Sequence, residues 1–262
     1  MATNAVPSHS RNRITIGGEH RFFLIASWLL ACLTVAGFAL HVVAGISSFD
    51  RPLVYHLHAV VFMGFIGLYL TQVTLAALGH VSLHRRLGLL AALWVPLMLA
   101  LGCWLTIATL RITGGPPIFG QSEFLLLNLC HLAAFGGLAF AALKMRDRPD
   151  WHKRLMFGAI ATVSLPGIAR LIPPTLTMPY AIPKLFLLVS LFPLAGMVMD
   201  RRVNGRIHPA WWWSLLLPPV AVLFGELLDT WGVASEWVAS HVAGTPGGQR
   251  PSEAFMPPGM GT

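Results

Sequence analysis

An all-α, polytopic transmembrane helix bundle is the fold class this sequence predicts, and three observations predict it. Of 262 residues, 55% are hydrophobic and only 11% charged, with a mean hydropathy of +0.68, whereas a soluble domain carries roughly 25% charged residues. Apolar stretches of membrane length recur along the whole chain. The 18 Lys and Arg residues are distributed unevenly between alternate connections, which is how orientation is written into a multi-pass protein.

The elements follow in order. Residues 1–20 form a polar tail containing Arg11 and Arg13, and the next stretch, 22–46, has no formal charge. A cleavable signal has an apolar region of only about 7 to 15 residues, so this one reads as a retained first helix. Further apolar runs at 53–78, 87–110, 122–143, 155–172, 183–199 and 210–230 each suffice for a hydrocarbon core of about 30 Å. The sequence therefore predicts seven helices in a membrane domain over 21–232. The fifth and sixth are the shortest and contain Pro166 and Pro193, which leaves a six-span or re-entrant reading open. The remainder, 233–262, rich in Gly and Pro from Gly244 onward, reads as a disordered extracytoplasmic tail.

Thirteen basic residues fall on one side of this scheme, among them Arg11, Arg85, Arg86, Lys153, Arg154 and Arg201. Arg51, Arg111, Arg170, Lys184 and Arg250 fall on the other. The amino terminus is thus expected in the cytoplasm of a bacterial cell, the carboxyl terminus outside, and the lipid bilayer of the inner membrane around the bundle. Trp211, Trp212 and Trp213 would mark the inner interface, and Trp231 and Trp237 the outer one. The net charge of +8 is accounted for by these loops, so it argues for topology and not for nucleic acid. Cys32, Cys103 and Cys130 lie in apolar runs without a C-x-x-C pair and read as small hydrophobes. No phosphate-binding glycine loop and no nucleophile elbow is present.

Two segments echo each other. HAVVFMGFIGLYL from His58 leads to HRRLG at His84, and HLAAFGGLAFAAL from His131 leads to HKRLM at His152. The echo suggests that helices two and three are repeated by helices four and five. Basic residues at cytoplasmic helix starts would explain the arginines and lysines alone, but they do not call for histidines.

Eleven histidines against ten acidic residues is a bias. His41, His56, His58 and His131 fall toward the outer side, and His80, His84, His152 and His208 toward the inner. Imidazole is the commonest protein metal ligand, and a polar ring in hydrocarbon is costly without a partner. His58, His131, His84 and His152 are accordingly the candidate cofactor-binding residues. His56 lies about 200° around the helix from His58 and reads as interfacial. His80 and His84 have the spacing of a zinc-binding helix face, which the turn at Gly79 makes doubtful.

The strings HLHAVVFMGFIGLYLTQ, LHRRLG and HKRLM resemble a group of uncharacterised bacterial multi-pass membrane proteins. In arrangement, over about residues 53–172, the four histidines also resemble the dihaem transmembrane b-type cytochromes. That resemblance implies haem b shared by His58 and His131 on the outer side and by His84 and His152 on the inner, and an electron-transfer function. Quinone or another membrane-complex subunit is the candidate partner beside the bilayer. The alternative is a cofactor-free accessory, assembly or transport subunit of a membrane complex. A di-iron oxygenase would want several H-x-x-x-H motifs, and a retinal protein a lysine in the last helix; neither pattern is found. Finally, Arg170 and the acids Glu226 and Asp229, three apart on the last helix, fall at comparable depth, which suggests an intramembrane ion pair.

Overall fold

The computed structural model describes residues 17–173, 176 and 181–255. Within them every regular element is helical: α1 (Gly18–Val43), α2 (Leu53–Ala77), α3 (Val81–Thr113), α4 (Gln121–Lys144), α5 (Pro149–Ala169), α6 (Ala181–Asn204), α7 (Ala210–Thr230) and α8 (Ser235–Val242), then a 3-10 turn at Pro246–Gln249. Helix is what apolar runs must form in hydrocarbon, because it satisfies each backbone group within its own segment. The ends are set locally. Gly114 takes φ +74° and closes α3, the Glu123 carboxylate accepts the Gly120 N–H at 2.8 Å to open α4, and Pro149 starts α5.

Six of these helices, α1, α2, α3, α4, α6 and α7, are long and apolar enough to cross a membrane, rather than the seven expected. The exception is α5, whose first turns carry Asp150, Lys153 and Arg154. Its neighbours supply the reason. Consecutive helices α1 to α5 pack in a closed ring, α5 returning to α1, while α6 and α7 pack on the other side of α5, against α1 and α4 respectively. Protein surrounds α5 on all sides, and nearly every residue from Arg154 to Ile168 is buried. A helix sheathed by protein needs no lipid-compatible surface.

The direction of α5 is equally clear. Near its start Arg154 pairs with Glu19 at the start of α1, and near its end Gly167 meets Gly37 near the end of α1. A Cβ built on Gly37 would lie 1.9 Å from the Gly167 carbonyl oxygen, so glycine is required for this approach. The two helices run parallel. We call the end carrying Glu19 and Arg154 proximal and the other distal.

At the proximal end Arg154 and Asp200 are 2% and 0% exposed. Arg154 Nε donates to Asp200 Oδ2 at 2.9 Å and its Nη2 donates to Oδ1 and, at 2.7 Å, to Glu19. Asp200 also accepts from Asn204 Nδ2, the His208 N–H and Trp211 Nε1. Lys153 bridges Glu19 and Asp150. This cluster joins α1, α5, α6 and α7. Trp211, expected at the membrane interface, is fully buried and stacks on Phe23 at 5.9 Å, whereas Trp212 and Trp213 are exposed.

At the distal end the segment expected to be disordered is ordered as far as Phe255; residues 256–262 lie outside the described part. Val238 and Val242 of α8 pack with Leu110, Leu125 and Leu126. Arg250 then donates to the carbonyls of Gly114, Gly115, Pro116 and Phe119, and the Ser252 and Phe255 backbones bond to Gln121 and Pro117. The Gly and Pro content that suggested disorder instead permits close contact, since a Cβ on Gly247 would lie 1.8 Å from the Leu110 oxygen.

Breaking the proximal pair from one side leaves a buried charge without its partner. Asp200→Asn should therefore lower stability in detergent by about 3 kcal/mol or more, against roughly 1 kcal/mol for Glu19→Gln at the partly exposed rim. Chemical or thermal unfolding of the two purified variants measures the difference.

Candidate functional site

Inside the ring formed by α1 to α5, each of α2 and α4 presents one inward stripe. On α2 the stripe reads His58, Phe65 and Gln72, spaced by seven, and on α4 it reads His131, Phe135, Leu138 and Ala142. Phe65 and Phe135 meet across the interior edge-to-face, 5.6 Å apart, and both are buried. Along the bundle that contact lies between the level of His58 and His131 and the level of His84 and His152.

The proximal pair is brought together. His84, in the first turn of α3, and His152, in the first turn of α5, have ring centres 6.2 Å apart and ring planes at 84°. Each ring is anchored by the backbone of the preceding helix. Nδ1–H of His84 donates to the Gln72 carbonyl at 3.2 Å, and Nδ1–H of His152 donates to the Ala142 carbonyl at 2.8 Å. A carbonyl can only accept, so Nδ1 carries the proton and in the neutral ring Nε2 carries the lone pair. One ring nitrogen of each histidine is thus held by a main-chain oxygen, which fixes the orientation of the ring. The separation and angle are those of an edge-to-face ring contact.

The distal pair is not in ring contact. His58 stacks on Phe62 at 3.9 Å, and His131 lies edge-on to Phe186 of α6 at 6.2 Å. Nδ1 of His58 and Nε2 of His131 are nevertheless buried without a hydrogen-bond partner, which is uncommon for polar atoms inside a protein. No group of three or more His, Cys, Asp or Glu side chains able to hold a metal ion occurs among the described residues. Only the proximal histidines are brought into ring contact with each other.

The other histidines separate cleanly. His80 is the N-cap of α3 and follows Gly79 at φ +78°, so it shares no helical face with His84. His56 donates through Nε2 to the Arg51 carbonyl at the exposed distal rim. In the α6–α7 turn, His208 Nδ1 accepts the Ala210 N–H; burial first, and the Arg154 charge second, hold its imidazole below the ordinary histidine range.

The expected ion pair is not formed. The Arg170 guanidinium lies over the Phe38 ring of α1, 4.4 Å from its centre, and donates to the Pro166 carbonyl. Asp229 instead accepts from Ser122. The distal end of α5 turns toward α1, whereas that of α7 turns toward α4, so equal depth does not become contact. The sequence reading missed the Arg154–Asp200 pair, having counted Arg154 only among the basic residues that orient the chain. A lone carboxylate, Asp200, beside two arginines at the end of an apolar run was the available signal.

Compared with protein-family models, curated proteins and solved structures, the chain matches none. The reading of its function rests on the geometry above. Because Arg170 and Glu226 are not partners, the variants Arg170→Met and Glu226→Gln should combine additively, to within roughly 0.5 kcal/mol, in a double-mutant cycle of unfolding.

Proposed function

We propose that this protein is an integral membrane electron carrier that holds haem b between histidine pairs, His84 with His152 at the proximal site and His58 with His131 at the distal one. The observation that carries the reading is the proximal pair: two imidazoles from the first turns of α3 and α5, each held through Nδ1 by a main-chain oxygen, with ring centres 6.2 Å apart. Haem supplies four ligands from its own macrocycle, so two histidines complete it, and bis-imidazole iron passes single electrons without rearranging its ligands. Support for the distal site is narrower, namely two buried ring nitrogens without partners on α2 and α4. A membrane quinone is the class of small redox partner that a carrier within the bilayer would meet.

Absorption spectroscopy of the detergent-purified protein, expressed with haem precursor supplied, tests this. The expected result is a bis-imidazole haem spectrum that loses one component in His84→Ala or His152→Ala and the other in His58→Ala or His131→Ala. A folded, pure protein without haem would leave the cofactor-free accessory or transport subunit as the reading.

For orientation we propose that the proximal end faces the cytoplasm, because the proximal connections carry most of the basic residues, and that α5 crosses the bilayer inside its protein sheath, because it runs parallel to α1 from Glu19 to Gly37. Six apolar helices plus α5 then put the termini on opposite sides. A reporter fused after Arg148 should report from the cytoplasm and one fused to the complete chain from outside; finding both on one side refutes the crossing.

A further inference from the structure

The distal end of the bundle carries an apolar groove that the histidine sites do not use. Ile107 of α3, Leu125 and Leu129 of α4, and Val233 and Trp237 before and within α8 line an open-sided cavity of about 360 Å³, which is within the size range of small-ligand pockets. One wall is held in place: the His241 ring stacks on Trp237 at 3.7 Å, and its Nδ1–H donates to the Trp237 carbonyl at 2.8 Å. Trp231 and Trp237 are 66% and 41% exposed, and exposed tryptophans gather where hydrocarbon meets water. The groove therefore sits at the distal membrane interface. Trp104, three residues before Ile107 on the same face of α3, is also exposed, so the groove runs on into the lipid-facing surface.

A cation stands at the distal end of this groove. Arg111 lies four residues beyond Ile107, one turn further out on the same face of α3, and is exposed. Every ion pair among the described residues belongs to the proximal cluster around Lys153 and Arg154, so none of them gives Arg111 a carboxylate. The arrangement selects its occupant from both ends. Water does not settle in a groove that offers it no polar partners, and a zwitterionic headgroup brings a cation of its own that Arg111 repels. We infer that the groove holds an acyl chain of an anionic phospholipid whose phosphate pairs with the Arg111 guanidinium, a donor fork that matches phosphate oxygens. The lipid then joins α3, α4 and α8 at the distal interface. The inference depends neither on haem nor on which end faces the cytoplasm.

The test is native mass spectrometry of the delipidated full-length protein in detergent, given equal amounts of phosphatidylglycerol and phosphatidylcholine with matched acyl chains. The expected result is one retained lipid, with phosphatidylglycerol favoured about fivefold, the preference one basic residue confers at a charged surface. Arg111→Gln should abolish that preference, and Leu129→Trp, which fills the groove, should lower retention of both lipids. Equal retention of the two lipids by the wild-type protein overturns the inference, and so does a preference that survives Arg111→Gln. Undiminished retention in a folded Leu129→Trp variant overturns the groove as the seat of the chain. Arg111 is exposed, so its variant keeps the fold and decides the matter even where Leu129→Trp does not fold.

Discussion

A guanidinium and a carboxylate withdrawn from water at the same point hold the proximal end of this bundle, and the rest of the structure is arranged to make that tolerable. Removing two charges from water costs several kcal/mol per ion, which mutual attraction offsets only when the remaining donors and acceptors are also met. Here Asp200 accepts from four different residues, and Arg154 is shared with Glu19 and the Asp150 carbonyl. The groups involved come from the starts of α1, α5 and α7 and the end of α6. Their convergence fixes the relative height of four helices, and with it the height of His152, two residues before Arg154 on the same helix.

Packing along α5 extends that registration to the distal end. Gly37 against Gly167 and Gly158 against Ser214 let α1 and α7 approach its backbone, and the ring of α1 to α5 closes only because α5 returns to α1. His84 and His152 belong to helices that are not packed against each other, so their ring separation is set by this frame rather than by direct helix contact. The same frame holds the Phe65–Phe135 contact between the two histidine layers.

Much of this was legible in the sequence, and what was not has a physical cause. The apolar runs located the helices to within about five residues, except that α3 begins at Val81 rather than 87 and α5 at Pro149 rather than 155, because both open with polar turns that lie outside the apolar run. The sequence paired His84 with His152 through the two H-[KR]-R-L helix starts, and the two rings do lie 6.2 Å apart. The count of seven apolar spans failed at α5, because hydropathy reports contact with lipid and α5 touches protein. The Arg170 pair failed because depth along the membrane normal says nothing about which way a helix end turns. Order in the tail was hidden because glycine and proline report freedom in an unpacked chain and close approach in a packed one.

The anchors of the proximal histidines are main-chain oxygens, not side chains. Nothing about the identity of residue 142, an alanine here, is needed to hold His152, and any residue that keeps α4 helical would present the same carbonyl. The hydrogen bond that selects the tautomer is therefore written in backbone geometry and leaves no trace in the amino-acid alphabet. Related chains could exchange the residue at that position freely and still orient the ring, so a comparison of sequences would find the two imidazoles and miss what aims them.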